Sequence, residues 1–299
     1  MLILETLVQG AVDTLFVLAI LVIAKKFRDA RFRAALQSTE CEPDERSADY
    51  QIEERSNLAV ALRRCGLSIG FGFGLAGVVS GGVVRFDAGW AVVLENMGEL
   101  LGYCVLLLVF LLVAEMIAEY IILPKINNTL ELKNGNNAVG LAEFGVFTAT
   151  GLVAFGSFNG EGGGWTTALA FFCMGQIALL LFALVYEWVT PFNMVELIRQ
   201  GNAAAGLMLG GTLITLGIIL CFAISGPFTT WAEGITGFAI AAAVGIFLLI
   251  PSQMLIDKFL LPNTTLQIEV ERDQNLAACA VTVCAQVTLA IMIGSLVAV

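Results

Sequence analysis

The sequence predicts an all-α fold: a polytopic transmembrane helical bundle of eight spans, arranged as two parallel four-helix repeats. Three observations lead there. The 299 residues are 58% hydrophobic and 13% charged, with mean hydropathy +0.88, well outside the range of soluble domains. Uncharged apolar runs of about 20 residues recur, each long enough to cross a bilayer. One short motif also opens four of these runs. It reads Asn57-Leu58-Ala59-Val60-Ala61, then Asn136-Asn137-Ala138-Val139-Gly140, Asn202-Ala203-Ala204-Ala205-Gly206 and Asn275-Leu276-Ala277-Ala278-Cys279.

The first span covers residues 1–24. It lacks a basic start and a small-residue cleavage site, so it reads as a retained anchor and not a removed signal. Residues 25–56 are polar, opening with Lys25, Lys26, Arg28, Arg31 and Arg33 and turning acidic from Glu40 to Glu54. Pro43 and the absence of an apolar period predict a solvated loop, with an amphipathic start as the alternative for its first residues. Residues 57–160 hold spans two to four, which complete the first repeat. Span two starts at Asn57, span three runs from Trp90 to a stop at Pro124, and span four starts at Asn136. The Gly-rich turn at 159–164 then leads into the second repeat, 161–299. Its spans begin near Trp165, Asn202, Trp231 and Asn275.

Orientation follows from the basic residues. With eight spans, every Lys and Arg except Arg85 falls on one side or within two turns of it, and the positive-inside rule makes that side cytoplasmic. Both termini are then expected outside. Trp90, Trp165 and Trp231 each open an odd-numbered span at the outer interface, where an indole is favoured.

The four motif copies align without gaps. Two residues after the Asn stand Ala59, Ala138, Ala204 and Ala277; four after, Ala61, Gly140, Gly206 and Cys279. Nine after stand Gly66, Gly145, Gly211 and Cys284; fifteen after, Gly72, Gly151, Gly217 and Ala290. At about 100° per residue, offsets two and nine share one face and offsets four and fifteen share nearly the opposite one. Small residues let helices approach closely in lipid, so each even span carries two seams and expects two close neighbours. The odd spans, rich in Leu, Val and Phe, are expected to sheathe the even ones. The Asn itself reads as a helix N-cap. A second symmetry relates the halves. Glu119 to Pro124 matches Asp257 to Pro262, each followed by Asn-Thr, at Asn128-Thr129 and Asn263-Thr264. An even number of spans per repeat keeps both halves in one orientation.

The Asn-x-Ala span starts, the acidic-x-x-x-Leu-Pro span ends and the four-plus-four layout resemble the bacterial inner-membrane family called domain of unknown function 350, the YjfL-like proteins. The resemblance covers nearly the whole chain apart from residues 25–56, and the last copy departs from it at Cys279, Cys284 and Ala290. It implies a bacterial inner (plasma) membrane location and an association with envelope-stress genes. It carries over no activity and no catalytic residue.

Several chemistries are disfavoured. The net charge of −10 argues against a nucleic-acid partner. The absence of His removes the commonest general base and metal ligand. The seven cysteines form no C-x-x-C pair, and six lie in apolar runs, so they read as free thiols used in packing. No catalytic motif is present; no enzyme activity, catalytic residue, metal or cofactor is expected. Ionisable residues within spans are costly and mark candidate sites. Asp13, Glu99 and Glu143 are the leading ones. Glu95, Glu115, Glu119 and Glu187 sit near enough to span ends to reach water. Arg63 and Arg64 reach the cytoplasmic surface, or one of them pairs with Glu143. Two functions stay open. One is a non-enzymatic component of an envelope-stress or membrane-maintenance system, engaging a cytoplasmic protein partner through residues 25–56. The other is a channel or transporter for a small cation. The expected partners are the lipid bilayer, that cytoplasmic protein and a second copy of the chain.

Overall fold

A computed structural model describes residues 2–37, 39, 41–81, 90–124, 126–159, 164–190, 193–226, 228–260 and 264–297. Arg85, Lys125, the centre of the Gly-rich turn, Pro191, Pro262 and Asn263 lie outside them. Among the described residues the regular structure is entirely helical. The long helices are α1 (Leu2–Ala35), α3 (Leu58–Gly81), α4 (Trp90–Ile117), α6 (Asn137–Phe158), α7 (Gly164–Val189), α9 (Ala203–Ile224), α10 (Trp231–Leu260) and α11 (Leu276–Val297). Short helices α2 (Ala48–Glu53), α5 (Asn128–Lys133) and α8 (Met194–Arg199) precede α3, α6 and α9, and a π-helical turn, Ile268–Arg272, precedes α11. Six helices among the described residues are long and apolar enough to cross a membrane: those within α3, α4, α6, α7, α9 and α11. In α10 the apolar stretch Trp231–Gly245 is shorter.

The four Asn-headed helices form a row, α3–α6–α9–α11. Alternate seams meet in the same way at successive steps. Gly140 of α6 lies against Ala59 of α3, where a Cβ would come within 2.8 Å of the Ala59 carbonyl oxygen. Gly206 of α9 lies on Ala138 of α6 in the same relation. Further along, Gly151 abuts Gly70, Gly145 abuts Gly210, and a Cβ on Gly217 would stand 2.9 Å from the Ala149 Cα. Offsets four and fifteen of α6 and of α9 therefore meet offsets two and thirteen of the helix before. These backbone approaches maximise dispersion contacts where the hydrophobic effect supplies no drive. The odd helices lie over the joints: α4 against α3 and α6, α7 against α6 and α9, and α10 against α9 and α11.

The Asn side chains lock this row. Each Oδ1 caps its own helix, accepting from Val60 N (3.2 Å), Ala138 N (3.1 Å), Ala205 N (3.1 Å) and Ala277 N (3.2 Å) in turn. Three of the Nδ2 groups also donate to the short helical segment leading into the next Asn-headed helix. Asn57 reaches Leu132 O (2.9 Å), Asn136 reaches Ile198 O (3.1 Å) and Asn202 reaches Val270 O (2.7 Å). The cap is thus also a clamp between neighbouring helices, and it places all four Asn-headed ends at one end of the bundle. Gly135 and Gly201, at φ of +86° and +85°, close α5 and α8 with the left-handed turn that glycine adopts without strain.

Residues 25–56 have the amphipathic start left open above but otherwise differ from a solvated loop. Helix α1 continues through the basic run to Ala35, and Asp44–Arg46 forms a 3-10 turn before α2. Ile20, Ala24, Phe32 and Leu36 recur at multiples of four and are all buried, which gives this extension one apolar face. The segment's acidic residues then pair with basic residues from α1, α3, α5 and the segment itself. Asp49 pairs with Lys25 (2.9 Å) and Arg64 (2.6 Å), and Glu45 with Arg55 (2.7 Å) and Lys133 (3.3 Å). The segment is a folded cap over the Asn-headed end.

Candidate functional site

Beneath this cap lies a cluster of buried charge. Arg63, about a turn and a half into α3, projects toward α4 and α6. It ion-pairs with Glu115 near the end of α4, and its Nε stands 3.4 Å from Glu143 Oε2 on α6. Glu143 is 1% exposed and Arg63 8%. Asn128, the first residue of α5, donates from Nδ2 to Glu143 Oε1 at 2.9 Å, and Arg63 Nη1 donates to Thr129 at 3.4 Å. Arg31 on the α1 extension reaches Glu115 Oε2 at 3.4 Å. Two guanidinium groups thus face two carboxylates. The set is charge-neutral and staples α1, α3, α4, α5 and α6 together. Burying such ions is expensive unless they are paired and hydrogen-bonded. Two acceptors keep spare capacity, since Glu143 Oε2 and Asn128 Oδ1 accept no hydrogen bond.

The alternative left open for Arg63 and Arg64 resolves by residue. Arg63 meets Glu143, whereas Arg64 turns to the cap, bonding Asp29 at 2.8 Å and Asp49 at 2.6 Å. In the cap, Asp49 is held below the usual carboxylate range by the Lys25 hydrogen bond and by Arg64, and Glu45 by Lys133 and Arg55.

The three leading carboxylates do not converge. Glu99 is exposed on α4. It stands sixteen residues before Glu115, about 24 Å along the helix. Asp13 lies in α1, and its side chain, like that of Glu95, is outside the described residues. Glu187 accepts from Val195 N at 3.5 Å. Among the described residues no group of His, Cys, Asp or Glu is placed to hold a metal. Two polar pairs lie deeper in the bundle, Thr150 with Gln176 and Thr212 with Gln286, each at 3.4 Å and buried. Sequence reasoning passed over Gln286 and the ligand role of Asn128; the repeated Asn-Thr after each Leu-Pro was the signal for the latter. All seven cysteines are free, with Cys104 and Cys279 buried but Cys65, Cys173 and Cys284 exposed.

Tandem helical units, backbone-contact seams and a paired-charge end define a tandem-repeat, multi-pass membrane protein. Comparison with known proteins agrees. The family model described as Domain of Unknown Function (DUF350) matches residues 47–158 and again 162–297, and the chain belongs to that family with two tandem copies. A relative, the UPF0719 transmembrane protein of Aquifex aeolicus (strain VF5), is 23% identical over 193 residues, covering 62% of this chain and 65% of its own length. No solved structure matches the chain.

Proposed function

We propose that this protein is an eight-span component of the bacterial inner membrane, with both termini outside and the capped end in the cytoplasm. It serves an envelope-stress or membrane-maintenance system without catalysis, by presenting the cap to a protein partner. The observation that carries this reading is the cap itself. Residues 41–56 are folded and ion-paired onto α1, α3 and α5, and they border a polar groove of about 460 Å³ that includes Gln51, Arg55, Asn57 and Asn134. Such a polar surface suits recognition of a folded protein. A photo-crosslinking amino acid at Asn134 should label one cytoplasmic protein in cells. Charge reversal at Arg55 should abolish that label and the in vivo phenotype together. Labelling of lipid alone would refute the reading.

A second reading, a small-cation path, is favoured by one observation: Glu143 Oε2 is buried without a hydrogen-bond donor. Against it stand the Arg63 partner and the backbone contacts that fill the row. Flux of protons, sodium and potassium into proteoliposomes separates the two readings. Tight vesicles support the first; flux lost in Glu143→Gln supports the second.

A further inference from the structure

The row of Asn-headed helices is built by one head-to-tail interface used three times, and its two ends are unused. On α11 the face that the earlier helices turn to their successors is open: Ala277, Cys284 and Thr288, at offsets two, nine and thirteen, are all exposed. On α3 the complementary face is open too. Cys65 at offset eight and Gly72 at offset fifteen are exposed, and among the described residues nothing lies within 4 Å of a Cβ placed on Gly72. The clamp shows the same vacancy. Asn57, Asn136 and Asn202 each donate to a carbonyl of the next helical segment, but among the described residues Asn275 Nδ2 meets the Glu269 carboxylate of its own segment alone. The odd helices repeat the pattern. Helices α4, α7 and α10 each cover a joint between two Asn-headed helices, while among the described residues α1 adjoins one of them, α3, through the Asp29–Arg64 pair. Between them remains an apolar fissure of about 590 Å³, lined by Leu18 and Val22 of α1 and by Gly72 and Ala76 of α3. A heterologous interface with both halves unsatisfied joins copies head to tail, giving a ring if the rotation closes.

We propose that a second copy of this chain docks here, its α11 entering the fissure beside α3 and α1 and continuing the row across the subunit boundary. The repeat fixes the register. Inside the chain offset nine of one helix meets offset eight of the next, as Gly145 meets Gly210 and Gly211 meets Val283. Cys284 of one copy therefore lies against Cys65 of the next, with backbones close enough for a disulfide, which needs Cα atoms about 4.4–6.8 Å apart. Asn275 then donates to the carbonyls at the end of the neighbour's α2, completing the fourth clamp.

The full-length protein in native membranes, treated with copper phenanthroline, tests this. Covalent dimers and higher species are expected. Cys65→Ser or Cys284→Ser alone should abolish them, and the linked peptides should carry Cys65 and Cys284. Gly72→Leu should also abolish the bands while leaving the thermal stability of the detergent-solubilised monomer unchanged, because its side chain enters open space. A second pair, Ala277→Cys with Ala61→Cys on a cysteine-free background, reads the same interface at another register point. Silence of both pairs overturns the proposal. So does a Cys65–Cys65 or Cys284–Cys284 link, which means a two-fold dimer. A monomeric mass in lipid nanodiscs, with phospholipid retained in the fissure, overturns it as well.

Discussion

Substitutions at Asn202 separate its two roles. The residue is 1% exposed, so water cannot replace what its amide does. Its Oδ1 caps α9, and its Nδ2 satisfies the Val270 carbonyl at 2.7 Å. Serine retains the cap but is too short to reach Val270. Asn202→Ser should therefore cost about 1–3 kcal/mol, the penalty of an orphaned buried acceptor. Alanine also removes the cap, which adds about 1 kcal/mol, so Asn202→Ala should cost about 2–4 kcal/mol. Aspartate keeps the cap geometry yet sets a carboxylate against the carbonyl. It should be at least as damaging as alanine, although aspartate is itself a favoured N-cap. Equilibrium unfolding in mixed micelles gives the three free energies. A serine variant as stable as the parent would mean the clamp contributes nothing. An aspartate variant at parental stability would show that capping alone accounts for the Asn repeated at the four helix starts.

Three further outcomes follow from the same contacts. Gly145→Ala drives a Cβ into the Gly210 backbone and should cost about 1–3 kcal/mol as overpacking, read as a lowered Tm; Gly98→Ala, in open space, is the control. Arg63→Leu strands Glu143, while Glu115 keeps Arg31, and should cost about 3–5 kcal/mol. Glu143→Gln should cost less, since Glu115 still faces Arg63 and the Asn128 bond can persist; denaturant titration of both variants checks the order. The cap should also sense acid. Because Lys25 and Arg64 hold Asp49 below its ordinary value, their stabilisation is complete above that ordinary value and fades as pH falls through the lower folded one. Proteolysis of residues 41–56 should accelerate only well below about pH 4, and Asp49→Asn should give fast cleavage already at neutral pH.

Much of the architecture was readable because the period of the small residues is a property of the chain alone. Four gapless offsets put two seams on each Asn-headed helix, and α6 and α9 use both, while α3 and α11 use one. The N-terminal extension was not readable in the same way. Its apolar face is carried by four residues, Ile20, Ala24, Phe32 and Leu36, interrupted by Arg28, and its charges look solvated until the partners that neutralise them are known. Arg64 and Asp49 lie fifteen residues apart, and Lys133 and Glu45 much further, so only the folded chain pairs them. The same holds for the buried cluster. Glu143 stood out as an intramembrane carboxylate, but whether Arg63 or Arg64 faced it depended on the rotation of α3 against α6. That rotation is set by Gly66 and Gly70 lying on the backbone of Phe144 and Phe147. Glu99 looked equivalent to Glu143 by the same rule, yet the fold turns it outward.

The two family copies share the clamp and the seams but not the charge. Seven residues after the four Asn stand Arg64, Glu143, Leu209 and Thr282; six after stand Arg63, Ala142, Met208 and Val281. Aligned on the two Leu-Pro ends, Glu115 of the first copy corresponds to Gln253 of the second. The ionic cluster therefore belongs to the first copy only, and so does the cap that covers it. A device needed merely to hold helices together would be expected in both copies, as the Asn clamp is. Removing the cluster should therefore leave α9–α11 packed as before while loosening the cap. Hydrogen exchange on Arg63→Leu reads this directly: faster exchange confined to residues 25–56 and 128–133 separates the cluster from the fold. Uniform acceleration through α9 and α11 would make the cluster one more structural staple.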